Sequence, residues 1–274
     1  MASIDVVWRV AFGLQATDGL KVTRFMRSLA KRHSAGDLDF EEIFQALHNY
    51  HLNYGDRLSY RAREADTVAT RIARLLFESP LKFELSPEFL LRLHKYLFEG
   101  FIPEDSRAGA FRSIDLAKWE RVLGGASVVY APAVELPRLI SGEFEAAAAV
   151  DWATLSPAAR VDAARAFVSR VWHAHPFREG NTRTSALFTV LLLRWLAVEV
   201  DLSPFVRRAH YFRDALVLDN APEGTVAAGR DSSHYLSVFF ARLTPAVHAE
   251  ANTKSGAVGS AKLPRYPRLQ GHLF

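Results

Sequence analysis

The sequence predicts an all-α protein: a helical bundle around one central buried helix, carrying a small β-hairpin flap. Three observations lead there. Apolar residues recur three and four positions apart through most of the 274 residues. The run "TRTSALFTVLLLRWLAV" is apolar on nearly every face, which suits a helix enclosed by others. Only one stretch, "ASVVYA", reads as β-rich, and it sits in a region broken up by glycine and proline.

Taken in order, "LDFEEIFQALHNYHLNY" and "LSYRAREADTVATRIARLLF" carry the helical spacing, and "SPEFLLRLHKYLF" adds Ser86 as N-cap with Pro87 at the first helical position. These form an N-terminal helical layer. From 101 to 133 periodicity fails, which predicts a long loop bearing the hairpin, and loops of that length are more often functional than idle. Helix returns with "AVELPRLISGEFEAAAA". Ser156 and Pro157 then open a helix whose apolar face is Val161, Ala164, Phe167, Val168, Val171 and Trp172, ending near Ala174. Pro176 disfavours helical geometry at His175, and Gly180 and Asn181 tolerate left-handed conformations, so a turn is expected there. After the central helix, "FVRRAHYFRDALVL" and "SSHYLSVFFARL" supply two more. Residues 244–274 lose periodicity and are expected to be a flexible tail.

Composition narrows the function. With 49% hydrophobic residues the chain can bury a sizeable core, read as one main domain with an appendage. No cysteine is present, so disulfides and thiolate metal sites are excluded. The net charge of +4 comes without a basic run or a recognised nucleic-acid motif, so nucleic-acid binding is not expected. The N-terminus lacks a secretory pattern, and the longest apolar run, "ALFTVLLLRWLAVEV", is interrupted by Arg194 and too short to span a bilayer. A soluble, cytoplasmic protein with no membrane partner is the expectation.

Chemistry concentrates in "HAHPFREGNTRTSALF", residues 173–188. The pattern is helix, tight glycine turn, helix, with the second helix starting near Thr182. Its first N–H groups have no intrahelical partner and carry the positive end of the dipole, which makes a socket for an anion. Arg183 sits in the first turn, where a cation opposes the dipole until an anion such as phosphate arrives. His175 and Glu179 lie at the socket mouth. A histidine can take a hydroxyl proton near neutral pH, and a carboxylate is the hard oxygen ligand Mg²⁺ prefers beside phosphates. Together they suggest transfer chemistry on a nucleotide; the bland alternative is a buried turn with a hydrogen-bonded histidine. The stretch lacks P-loop spacing, and His173 and His175, two apart on a helix, point to different sides and do not make a shared metal site.

"HPFREGNTR" resembles the signature of the Fic family, HPFx(D/E)GNxRxxR, at every named position as far as Arg183. "AGAFR", the "ASVVYAPA" flap and "YFRDALV" are similar to Fic segments on either side, the last in a subgroup whose motif also reads GNTRT. The resemblance covers 85–243 well and 57–80 less securely. It divides the chain into an N-terminal helical region, 1–84, packed on the core, a Fic domain, 85–243, and the tail, 244–274. It implies a Fic fold and transfer of AMP from ATP, the co-substrate, to a serine, threonine or tyrosine hydroxyl of a target protein, with pyrophosphate released. His175 would be the general base and Glu179 would hold Mg²⁺. Gly180, Asn181 and Thr182 would form the anion nest, and Arg183 would neutralise charge on the leaving phosphates. Phe177 would anchor the turn in the core. Flap residues Ser127, Val128, Val129, Tyr130 and Ala131 would pair in β fashion with the target backbone. Tyr211 would line the adenine pocket or pack in the core.

The sequence departs from the family where its last arginine falls on Ala186. In many Fic proteins that arginine contacts the γ-phosphate and pairs with an inhibitory glutamate from an (S/T)xxxE(G/N) helix. Partial matches here are "YRAREA", with Glu64, and "SGEFEA", with Glu145. Glu64 is better placed, on a helix preceding the core, with Arg183 as its remaining partner; an ordinary charged helix face and a separate antitoxin-like inhibitor are the alternatives. Three functions stay open: AMP transfer, transfer of UMP, phosphate or phosphocholine on the same fold, and a binding protein that has lost turnover. Toxin, effector and housekeeping modifier would all use the same site.

Overall fold

The structure, a computed structural model, describes residues 3–102, 107–222 and 233–249. Its α-helices are α1 (Ile4–Thr17), α2 (Arg24–Ser34), α3 (Phe40–Tyr54), α4 (Tyr60–Glu78), α5 (Pro87–Phe98), α6 (Leu136–Ala148), α7 (Pro157–Ala174), α8 (Asn181–Trp195), α9 (Ser203–Asp219) and α10 (Ser233–Leu243). Local chemistry sets several starts. Asp39 and Glu42 close a reciprocal capping box on α3. Ser59, Ser86 and Ser156 each accept a backbone N–H three residues on, the last two with proline in the first turn.

α8 is the centre of the bundle. Every residue from Asn181 to Leu193 is buried, with α5, α7 and α1 against it. Phe188 meets the rings of Phe83, Phe89, Phe144 and Phe167. Deleting such a ring costs about 3–5 kcal/mol, since the cavity adds to the lost transfer energy.

Two helices go beyond the sequence expectation. α1 and α2 lie within residues 4–34, and α1 buries Val7, Trp8, Val10, Ala11 and Leu14 between α4 and α9. Gly13 permits this approach: a Cβ there would stand 2.6 Å from the Phe205 carbonyl oxygen. The C-terminal end of α1 thereby reaches α8, with consequences for Arg183.

The expected hairpin is not formed. Among the described residues the region after α5 has no strand, only an isolated antiparallel bridge between Trp119 and Ser127. The physical reason lies in its partners. Val129 O accepts from His173 Nε2, Ala131 O from Arg112 and Val128 O from Ser127 Oγ, so side chains bind the carbonyls a ladder would use. Gly124 and Gly125, both at positive φ, turn the chain before pairing can extend. The expected tail divides: residues 245–249 are helical, with Thr244 Oγ1 donating to Phe240 O, and 250–274 lie outside the described residues. No helix among the described residues is long and apolar enough to cross a membrane.

Candidate active site

The site grows from the end of α7. His175 adopts the left-handed conformation (φ 51°, ψ 59°), as the following proline requires some non-helical geometry there, and its N–H donates to Trp172 O at 2.9 Å. Phe177 is buried, and Asn181 closes the turn by accepting the Phe177 N–H at 3.0 Å and donating to its carbonyl at 2.7 Å. The Asn181 amide is therefore engaged in the turn, and its backbone N–H is left for a ligand. Gly180 has φ 78° and a Cβ there would lie 2.5 Å from the Phe98 ring, so no other residue fits. The first helical bond of α8 runs from Thr184 N–H to Gly180 O. The N–H groups of Gly180, Asn181, Thr182 and Arg183 donate to no described group.

The His175 imidazole is only 3% exposed, and among the described residues neither ring nitrogen has a hydrogen-bond partner. Tyr130 stacks on it at 4.0 Å and Trp172 meets it edge-on at 5.5 Å. Burial pushes its pKa well below the ordinary range, and the Lys118 and Arg112 charges push the same way. The ring is thus neutral at neutral pH, with a lone pair free to accept a proton. Arg112 holds its backbone: Nε donates to His175 O at 2.8 Å, and the other nitrogens donate to Ile114 O at 2.7 Å, Ala174 O at 3.3 Å and Ala131 O. One guanidinium ties the flap to the motif turn. Tyr130 is fixed in turn by Glu120, itself paired with Arg213 at 2.7 Å; burial raises the pKa of both Tyr130 and Glu120.

At the other end of the turn, Arg183 is 2% exposed and crowded with partners. Its Nη1 donates to Gln15 Oε1 at 2.8 Å, Nη2 to Glu64 Oε1 at 2.8 Å, and Nε lies 2.7 Å from Asp18 Oδ2. The guanidinium also sits 4.6 Å over the Phe98 ring. Of the two sequence candidates, Glu64 reaches the motif and Glu145 is exposed on α6. Ala186, one turn beyond Arg183, is fully buried.

The family model for the Fic/DOC family matches residues 84–193, the span that contains the whole turn. Residues 84–193 form a Fic/DOC family domain. Solved structures share its fold at low identity. The BepC protein, a VirB-translocated effector from Bartonella tribocorum solved with bound AMPPNP, has a TM-score of 0.50 at 18% identity, over 67% of this chain and 85% of that one. A Fic family protein from Desulfovibrio desulfuricans scores 0.53 at 18% identity, over 92% and 67%. The N-terminal FIC domain of the Bep8 protein from Bartonella sp. 1-1C scores 0.50 at 15% identity, over 77% and 89%. Among curated proteins no sequence match is found.

Within the Fic/DOC domain the other expected residues are placed as follows. Glu179 is exposed, and its carboxylate makes no hydrogen bond or ion pair among the described residues. No cluster of three metal-ligating side chains exists among them. That donor set fits Mg²⁺ arriving with a nucleotide, because this ion keeps waters and takes one or two carboxylates beside phosphates. On the flap, Val128 and Tyr130 face inward while Val129 is 75% exposed. Tyr211 is buried and stacks on Phe239 in the α9–α10 packing. Sequence reasoning missed Gln15, Asp18, Arg112, Glu120, Arg213 and His94. Arg112 and Arg213 alone left a signal, as the last letter of "AGAFR" and the third of "YFRDALV".

Proposed function

We propose that the Fic/DOC domain transfers AMP from ATP to a serine, threonine or tyrosine hydroxyl of a target protein. The observation that carries this reading is the buried, neutral His175 with both ring nitrogens unpartnered among the described residues, ahead of a helix whose first four N–H groups donate to none of them. The hydroxyl oxygen attacks the α-phosphorus as its proton passes to the imidazole, and the bond to the bridging oxygen breaks to release pyrophosphate. The N–H groups of Gly180, Asn181, Thr182 and Arg183 hold phosphate oxygens, and Glu179 would hold Mg²⁺, which would neutralise phosphate charge when bound. The bound AMPPNP of the BepC structure supports ATP as donor. Val129, turned outward on the flap, meets the target backbone.

In the resting form Arg183 does not serve the phosphates. Asp18, Glu64 and Gln15 hold it, so the N-terminal helical region, 1–84, is the regulatory layer and Glu64 its inhibitory residue. A cytoplasmic location, where ATP and Mg²⁺ are supplied, accompanies this reading, as does a role as toxin or effector restrained until the layer opens. Ala186 favours a second reading, nucleotide binding without turnover. Incubation with Mg²⁺ and α-labelled ATP, alone and with lysate, separates the two: transfer leaves label on protein, and binding alone leaves none. UTP and phosphocholine donors in parallel test the choice of group.

A further inference from the structure

We infer that His94 is a positioning residue for the anion nest: by holding the Glu179 carbonyl it aims the Gly180 N–H, the first donor of the nest. The inference rests on the proposed nucleotide socket and names the residue that sets its polarity.

His94 lies on α5, is 1% exposed, and bonds at both ring nitrogens. The Gly109 N–H donates to Nδ1 at 2.9 Å. An amide N–H can only donate, so Nδ1 is the bare nitrogen and Nε2 carries the hydrogen, which it donates to Glu179 O at 3.1 Å. Neither end of this relay is free to drift. The ring stacks on Phe177 at 3.8 Å and 6°, fixing its plane within the motif turn. Gly109 is at φ 79°, and a Cβ there would stand 2.7 Å from Lys95 Cβ, so the loop is seated directly on α5.

A trans peptide points its C=O and N–H in opposite directions. With the Glu179 carbonyl drawn to His94, the N–H of Gly180 points away from His94 and has no acceptor among the described residues, as a donor of the nest should. Glycine at 180 is free to take other backbone angles. A flip of this one peptide would put a carbonyl oxygen where the anion binds, turning attraction into repulsion. His94 opposes that flip, with no contact to the ligand itself.

The test exploits the length of amides. Glutamine places its N–H₂ near the position of Nε2 and can keep the Glu179 bond, whereas asparagine reaches only the position of Nδ1 and can keep the Gly109 bond. We expect ATP·Mg²⁺ titrated calorimetrically into the full chain, and into its Glu64→Gly form, to bind His94→Gln within about threefold of the parent. His94→Asn and His94→Ala should weaken binding about tenfold or more, the scale of loss from displaced binding groups. If His94→Gln loses as much as His94→Ala, or His94→Asn binds as well as His94→Gln, the assignment is overturned. If the parents bind and every variant binds equally, His94 falls and the socket stands. If neither parent binds ATP, the socket reading falls and takes the assignment with it.

Discussion

The two ends of the motif turn are built in opposite ways. Among the described residues His175 has no partner at either ring nitrogen, whereas Arg183, eight residues on, has a glutamine, two carboxylates and an aromatic ring around one guanidinium. The imidazole is open and the cation is engaged. The difference follows from which parts of the chain supply the surroundings. Aromatic rings and backbone bonds from the family domain enclose His175, while the N-terminal layer, outside the matched 84–193 span, supplies the acids on Arg183. Chemistry and restraint are thus separable, and each can be broken alone.

The largest effect is expected at the open end. His175→Ala should lower AMP transfer about 10³-fold, within the range for losing a general base, while leaving the ATP Kd within a few fold. A matching loss of binding would show the imidazole to be structural. At the engaged end the sign reverses. Glu64→Gly should raise turnover about tenfold, Asp18→Asn should raise it less, and the double variant should fall short of the product because both act on one guanidinium. Rates measured with label from the α-phosphate check this, and a drop with Glu64→Gly would mean the pair holds the fold.

Arg112 belongs to the open end and is testable through stability. Arg112→Ala leaves four carbonyl acceptors without their donor, about 1 kcal/mol each, so unfolding by denaturant should show a loss of about 4 kcal/mol. A loss under 1 kcal/mol would show the flap is held by other contacts.

The smallest effect is on pH dependence. His94, its pKa lowered to about 3 by burial, and His175, lowered in the same direction, stay neutral in the fold while the unfolded chain takes up protons below its ordinary value near 6.5. The unfolded state then binds more protons, so the stability these groups contribute is full above pH 6.5 and lost as pH falls toward 3. At pH 5 His94 contributes a loss of about 2 kcal/mol, from about 1.4 kcal/mol per unit over 1.5 units, and His175 adds a loss of the same sign. The melting temperature of His94→Gln should therefore fall less between pH 7.5 and 5 than that of the parent, and parallel slopes would contradict it.

The same comparison explains what the sequence could reveal. His175, Pro176, Gly180 and Arg183 act through turn geometry and helix polarity, which neighbouring residues determine, so their places were legible. The helices from α3 onward announced themselves by apolar spacing and serine caps, and α8 by being apolar all round. Arg183's partners were less so. Gln15 stands 168 residues away and Glu64 119, brought near by helix packing that no local spacing encodes. Glu64 was nameable from a partial motif, but Asp18 follows an α1 helix that the sequence reading did not identify. The β-rich "ASVVYA" marked the flap in the sequence, but not the absence of a strand. That depended on His173 and Arg112 occupying the flap carbonyls from elsewhere.

The most direct measurement is label transfer from ATP carrying the isotope at the α- or the γ-phosphate, with Mg²⁺ and lysate, to compare Glu64→Gly with Glu64→Gly combined with His175→Ala. The account predicts protein labelled from the α-position only, and only while His175 is present. Label from the γ-position, or no label from a protein that binds ATP, would contradict it.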